Sequence, residues 1–356
     1  MDLSNFGEVV KVPYVKNLIY EEIKQVLQIN EVNNFIGNHP IGLTRQRISF
    51  LLNNDYLVCE KSDGIRVMLL FYKKTLFLYD RTCNFYKTDY ILTSDKTFLI
   101  DGELYDENES FIFAIFDLLI YESNSVLSSD LLHRLGKAKQ FCNKIIPRSL
   151  LKKNGSKLES MKIKCKDMLK SYGMKSILDF IPQLKHKNDG LIFTPVNDPY
   201  FLFQRSKILK WKPPSLNTAD LYIKKTRTPH VYELACDIED FQVKLYGRRT
   251  TNREKFHIGF FYAPDEINYS DKIGEFGWDE DLEVFDLVDG TFSRGGWLFH
   301  RFRHDKTLSN NIKIVLDLFD SNKDVITSEI LTEMSDQIRK NYKERECNKE
   351  AKKLKK

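Results

Sequence analysis

Residues 56–66, Tyr-Leu-Val-Cys-Glu-Lys-Ser-Asp-Gly-Ile-Arg, constrain the chain most: an apolar run stops at a lysine, turn formers come next, and a second apolar run begins. Tyr56 to Glu60 reads as a strand, Ser62-Asp63-Gly64 as a tight turn and Ile65 to Tyr72 as a returning strand. That geometry holds Lys61 at a strand end, with Asp63 and Arg66 close in sequence. A lysine attacks as the free amine, a form favoured by neighbouring cations and by desolvation. The same pattern would also suit an ordinary turn with a solvated lysine, so the reading depends on what the rest of the chain supplies.

With 356 residues the chain has length for about two domains. No stretch approaches the ~18 apolar residues needed to span a bilayer, and the first residues lack a basic start leading into an apolar run. This predicts a protein that is neither secreted nor membrane-inserted. The six cysteines, Cys59, Cys83, Cys142, Cys165, Cys236 and Cys347, show neither a Cys-x-x-Cys pair nor zinc-finger spacing with histidine, and read as reduced thiols of an intracellular protein. The net charge of +5 is uneven: residues 339–356 carry nine Lys or Arg against three Glu, leaving the body at about −1. Such a basic end suits nucleic-acid contact or a nuclear address, and equally a solvated helix end.

Helical periodicity over 16–29 and a Thr44-capped segment to Asn53 precede the Lys61 stretch. Strand signals then recur to residue 121, with Lys73-Lys74 as a hairpin turn, so the sheet is expected to be mainly antiparallel. A helical stretch at 128–146 and a lysine-rich segment at 152–170 lead to strands at 190–196 and 208–212, which Pro213-Pro214 halts. Further strands at 231–245, 257–262 and 282–287 suggest a smaller β domain, with helices after it at about 309–320 and 327–345. The expected division is 1–226, 227–345 with its closing helices, and a basic tail at 346–356.

Five further stretches carry chemistry. Asp101-Gly-Glu103 and Asp189-Gly190 place carboxylates at what read as strand turns, where they can share Mg²⁺ or Mn²⁺ with phosphate oxygens. Phe113-Ala-Ile-Phe116-Asp117 sets an aromatic ring beside an acid. In Leu209-Lys-Trp-Lys-Pro213, strand alternation sends Lys210 and Lys212 to one face and Trp211 to the other, a pairing suited to polyphosphate. Arg301, Arg303 and Asp305 alternate in the same way before Lys306, and such arginines can grip pyrophosphate.

Taken in order, Glu60-Lys-Ser-Asp-Gly-Ile-Arg66, Asp101-Gly-Glu103, Phe113 to Leu118, Asp189-Gly-Leu-Ile-Phe193, Leu209-Lys-Trp-Lys-Pro213 and Arg303-His-Asp-Lys306 resemble the eukaryotic messenger RNA capping guanylyltransferases. These belong to the covalent nucleotidyltransferase superfamily, which also holds the polynucleotide ligases. The resemblance spans His39 to Asn310 and includes Arg81 in Tyr-Asp-Arg. His39-Pro-Ile-Gly-Leu departs from the usual Gln-Pro-Val-Ser.

The resemblance implies an α+β protein: a mainly antiparallel-sheet nucleotidyltransferase domain, then a C-terminal OB-fold domain, with GTP bound between them. Lys61 would be the nucleophile that forms a lysyl-N-GMP intermediate and passes GMP to 5′-diphosphate RNA. Arg66 and Glu103 would contact ribose, Arg81 would lie near the nucleotide, Phe116 would stack on guanine and Lys166 would read it. Asp189, with Glu103, would hold Mg²⁺ or Mn²⁺, and Lys210 and Lys212 would contact phosphate. Arg303, Asp305 and Lys306 would orient pyrophosphate once the second domain closes over the first. The resemblance further implies a monofunctional nuclear enzyme of fungal or protist type, working with a separate RNA triphosphatase and the phosphorylated RNA polymerase II tail. An ATP-dependent RNA or DNA ligase and a catalytically silent RNA- or polymerase-tail-binding module are the rival readings.

Overall fold

A computed structural model describes every residue except 33, 154, 239–253, 264–266, 286–289, 305, 324 and 355–356. The chain divides into two compact units, Met1–Trp211 with Ser328–Lys356, and Lys212–Thr327.

The first unit holds two sheets. The larger orders its strands Glu8–Val9, Phe85–Leu92, Thr75–Asp80, Ile65–Tyr72, Phe98–Glu107, Ser110–Tyr121 and Met161–Cys165. All pairs along it are antiparallel except the last. Its central strands are near-continuous apolar runs because both faces are covered. Val67, Leu69 and Phe71 pack on one side with Phe98, Phe113 and Phe141, while Met68 and Leu70 pack on the other with Ile19 and Ile23 of helix Pro13–Leu27. Lys73 and Lys74 turn the hairpin at φ 46° and 66°, both left-handed, as a two-residue type I′ turn requires.

The smaller sheet orders Leu169–Lys170, Tyr56–Ser62, Asn188–Pro195, Arg205–Trp211 and His39–Gly42. Tyr56–Ser62 and Ile65–Tyr72 therefore belong to different sheets, and the expected return strand is a crossover. The reason lies at Gly64, where a Cβ would overlap the Leu104 carbonyl oxygen; the chain passes so close to the larger sheet that it is captured there.

The second unit is a five-stranded antiparallel sheet in the order Glu254–Tyr262, Val231–Ile238, Thr218–Lys225, Lys272–Phe285, Phe292–Phe302. The two outer strands of that order meet where Trp297 Nε1 donates to the Ile258 carbonyl at 3.2 Å. That is the strand order of an OB-fold barrel. Helix Ile312–Lys323 adds Val315 and Leu318 to its core. The ends of two expected strands, 239–245 and 286–287, lie outside the described residues.

Two expected boundaries need correction. Thr218–Lys225 pairs with two strands of the second sheet, so the division falls at Trp211 and Lys212 rather than after residue 226. Helix Ser328–Leu354, assigned from sequence partly to the second domain and partly to a tail, belongs to the first unit. Arg345 binds Asp55 Oδ1 at 2.8 Å and the Leu52 carbonyl at 2.7 Å, and Asn341 donates to the same carbonyl at 3.1 Å. These donors satisfy carbonyls left over at the end of helix Arg45–Asn53. Among the described residues no helix is long and apolar enough to cross a membrane.

Candidate active site

Lys61 is the penultimate residue of its strand, and its Nζ lies 2.5 Å from Asp189 Oδ1. Register explains the meeting. Asn188 pairs with Ser62 and Leu191 with Glu60, so Asp189 and Gly190 together oppose Lys61 across a β-bulge. Gly190 has φ 136°, which side-chain-bearing residues rarely adopt. The Asp189-Gly190 pair read from sequence as a turn is thus a bulge inside a strand, and it aims the carboxylate at the lysine. Lys210 shares the face of Lys61, because it pairs with Ile192 and Ile192 with Cys59, two residues before the lysine. Trp211 is buried on the opposite face, as alternation requires. Lys212 comes just after the end of that strand.

Asp101-Gly-Glu103 is likewise not a turn. It lies within strand Phe98–Glu107, where Asp101 pairs with Asp117 and Gly102 with Ile115, leaving Phe116 as the extra residue of a bulge. A Cβ on Gly102 would overlap the Phe113 ring and the Ala114 carbonyl. The Phe116 ring has the Arg66 guanidinium 5.3 Å from its centroid.

Arg66 pairs with Glu103 across the sheet, yet its side chain is engaged elsewhere. Nε and Nη2 clasp the two oxygens of Asp101 at 3.0 and 2.6 Å, and Nη1 donates to the Asn38 carbonyl at 2.6 Å. Tyr200 donates to Asp101 Oδ2 at 2.5 Å. Burial works against the Arg66 cation, but Asp101 outweighs it and raises its pKa. Arg81, at the turn after strand Thr75–Asp80, has its pKa lowered by partial burial and by the Arg66 charge. Behind Asp101 lies a second buried pair, Asp117 with Arg134, at 2.7 and 3.0 Å.

Lys166 is buried, donating to Ser62 Oγ at 2.8 Å and meeting Glu60 Oε1 at 3.0 Å, so it touches the residues flanking Lys61. His186 joins them, 3.5 Å from Glu60 and 3.3 Å from Glu107, with its ring stacked on Tyr105. Burial opposes the Glu60 charge, but hydrogen bonds from His186 and Lys166 prevail and lower its pKa. Burial pushes Glu103 up to about 7, against the pull of Lys166, Lys61 and Arg66.

Glu103 therefore couples stability to pH. A carboxyl that titrates higher in the folded than in the unfolded chain contributes most below the unfolded pKa, and the contribution fades as pH rises through about 7. Glu103→Gln, which fixes the neutral form, is expected to raise Tm little at pH 5 and by a few degrees at pH 8 in metal-free buffer, reflecting about 1–3 kcal/mol. A gap that does not grow with pH would show that Glu103 is not the group responsible.

In the second unit Arg303 Nη1 binds Asp220 Oδ1 at 2.8 Å, and Lys306 Nζ binds the other oxygen of the same carboxylate. Arg301 binds Glu275 at 2.6 Å. Arg303 and Lys306 line a cavity of about 430 Å³ with Lys272 and His304. Asp305 lies outside the described residues. Among the described residues no three His, Cys, Asp or Glu side chains cluster as a metal cage. Asp189, bonded to Lys61, and Glu103, within the field of that lysine, are the carboxylates here that could hold a divalent cation, whose shell phosphate oxygens and water would complete.

Sequence reasoning misses Asn38, Tyr200, Arg134, His186 and the role of Glu60. Of these only Glu60 stands inside a stretch with a chemical pattern of its own; the others have no local signal.

A bulge-aimed lysine on a mainly antiparallel α+β fold, with an acid at its amine and a further lysine on its face, defines a nucleotidyltransferase that continues into a five-stranded β barrel. Residues 8–214 match the family model for the mRNA capping enzyme catalytic domain, and residues 215–332 that for the mRNA capping enzyme C-terminal domain. The chain belongs to the mRNA capping enzyme family and is an mRNA guanylyltransferase. It is similar to the mRNA-capping enzyme subunit alpha of Schizosaccharomyces pombe, 28% identical over 86% of this chain and 81% of that one. The subunit of the same name from Neurospora crassa is 27% identical over 91% and 89%, and that from Yarrowia lipolytica 28% over 91% and 88%.

Proposed function

We propose that Lys61 Nζ attacks the α-phosphorus of GTP, forming a P–N bond as the α–β P–O bond breaks and pyrophosphate leaves. An oxygen of a 5′-diphosphate RNA end then attacks the same phosphorus, the P–N bond breaks, and the GpppN cap departs with the lysine regenerated. The observation that carries this reading is the bulge that sets Asp189 against the Lys61 amine. Lys210 and Lys212 bind phosphate oxygens, Arg66 and Glu103 face the ribose, Arg81 lies near the nucleotide, Phe116 stacks on the base, and Lys166 reads it. Arg303 and Lys306, with Asp305, orient the leaving pyrophosphate. Mg²⁺ or Mn²⁺, held by Asp189 and Glu103, would neutralise charge on the phosphates. The enzyme acts in the nucleus on RNA prepared by a separate triphosphatase and accompanies the phosphorylated RNA polymerase II tail.

The test is incubation with α-labelled GTP or ATP and a divalent cation, and then a denaturing gel. GTP is expected to label the protein and ATP not to do so. Asp189→Ala should lower labelling by roughly 10²-fold, a deficit that higher metal only partly relieves. Labelling by ATP alone would make the chain ligase-like in substrate, and full labelling of Asp189→Ala would leave that residue a purely structural bulge.

A further inference from the structure

Cys142 and Cys165 lie 23 positions apart in sequence, yet their Sγ atoms are 3.4 Å apart. Cys142 sits in the π-helical turn Phe141–Ile145 and Cys165 ends strand Met161–Cys165, both half-buried at the edge of the larger sheet's core. Turns of this helical type are rare and concentrate at functional sites. All six cysteines are free thiols; Cys59 and Cys236 are buried, and Cys347 is exposed. The hydrogen bond with Cys142 lowers the Cys165 pKa against the effect of burial, with help from Lys139, while that same bond and burial raise Cys142. Of the two sulfurs Cys165 is thus the more readily deprotonated and Cys142 the less, the order wanted of an attacking and a resolving cysteine.

Cys165 is joined directly to a residue of the candidate site. Lys166 is its neighbour in the chain; the Lys166 backbone N–H donates to the Ile115 carbonyl at 2.8 Å, and its Nζ contacts Ser62 and Glu60 on either side of Lys61. A disulfide needs sulfurs about 2.05 Å apart, so closure must bring the two sulfurs more than an ångström closer, by rotation of both side chains and movement of the backbone that carries them. In a close-packed interior such a displacement passes to bonded neighbours.

We propose that Cys142 and Cys165 form a reversible disulfide, closed by a hydroperoxide, that shifts Lys166 and so weakens nucleotide use at Lys61. The Cys165 thiolate attacks one peroxide oxygen; the O–O bond breaks, the hydroperoxide is reduced and leaves as hydroxide or alkoxide, and Cys165 becomes a sulfenic acid. The Cys142 sulfur attacks that sulfur, the S–S bond forms, the S–O bond breaks, and water leaves with the Cys142 proton. A dithiol reductant reverses the bond by exchange. The effect on nucleotide use rests on the proposed function.

The experiment treats the full chain with hydrogen peroxide, maps disulfides by non-reducing proteolysis and mass spectrometry, and measures GTP dependence of adduct formation before and after. A Cys142–Cys165 cross-linked peptide, reversed by dithiothreitol, is expected, with a several-fold rise in the KM for GTP. Cys142→Ser and Cys165→Ser should keep the reduced KM and lose the response. Peroxide that oxidises Cys347 while Cys142 and Cys165 stay alkylatable overturns the proposal, as does a cross-link with unchanged KM or a response retained in either serine variant. The cross-link is read without nucleotide, so a failure to label with GTP would count against the proposed function and not against the disulfide.

Discussion

Lys61→Ala and Lys61→Arg are each expected to remain folded and to carry no covalent GMP, a loss of at least ~10³-fold in adduct formation. Folding should be spared because Lys61 and Asp189 are both partly exposed, at 24% and 17%, so losing their ion pair costs no more than about 1 kcal/mol. Arginine is the sharper variant. It can keep a cation against Asp189 and preserve the local field, but guanidinium is not deprotonated in proteins and offers no nucleophile. Alanine tests the side chain; arginine tests the free amine. The wild-type adduct should be labile to acid and stable to base, as a P–N bond is, and should map to the peptide containing Lys61. Label on either variant, or label on a different peptide of the wild type, would remove Lys61 as the nucleophile.

The strand that ends at Lys61 was legible because its signal lies among neighbours in sequence: an apolar run, a lysine and turn formers within a dozen residues. What surrounds that lysine was not. Asp189 meets Lys61 only because a bulge inserts one residue opposite it, and a local pattern of Asp-Gly does not distinguish a bulge from a turn. Arg66 draws its partners from 28, 35 and 134 positions away, at Asn38, Asp101 and Tyr200. Neither Asn38 nor Tyr200 stands in a stretch with any chemical signature. The sheets posed a similar problem. The runs at 56–60 and 65–72 announced two strands, but which sheet each joins is decided by the close approach of Gly64 to Leu104, a long-range contact. The second unit's boundary was missed for the same reason, since Thr218–Lys225 is assigned by its partners at 231–238 and 272–285.

Arg134→Met is expected to destabilise the first unit by about 3–5 kcal/mol, because it strands a buried carboxylate. Asp117 is buried within strand Ser110–Tyr121, and its carboxylate is matched by two bonds from Arg134, whose remaining nitrogen reaches the carbonyls of Ser129 and Asp198 at 2.5 and 3.1 Å. Burial raises the Asp117 pKa against the pull of Arg134. Without the arginine, the Leu118 N–H is left as the main group opposing that rise, and the acid must fold neutral or stay charged at greater cost. Asp101 stands directly opposite Asp117 across the strand pair, and the Arg134 guanidinium lies 5.8 Å from the centroid of the Tyr200 ring that bonds Asp101. Two acids and two arginines thus share one core, and removing one cation strains the Asp101–Arg66 pair on the site side. Urea denaturation monitored by circular dichroism should show the loss for Arg134→Met, and Arg134→Met with Asp117→Leu should recover most of it, because a paired replacement strands no charge. If the double variant were as unstable as the single one, the cost would lie in the lost Ser129 and Asp198 bonds and not in the buried carboxylate.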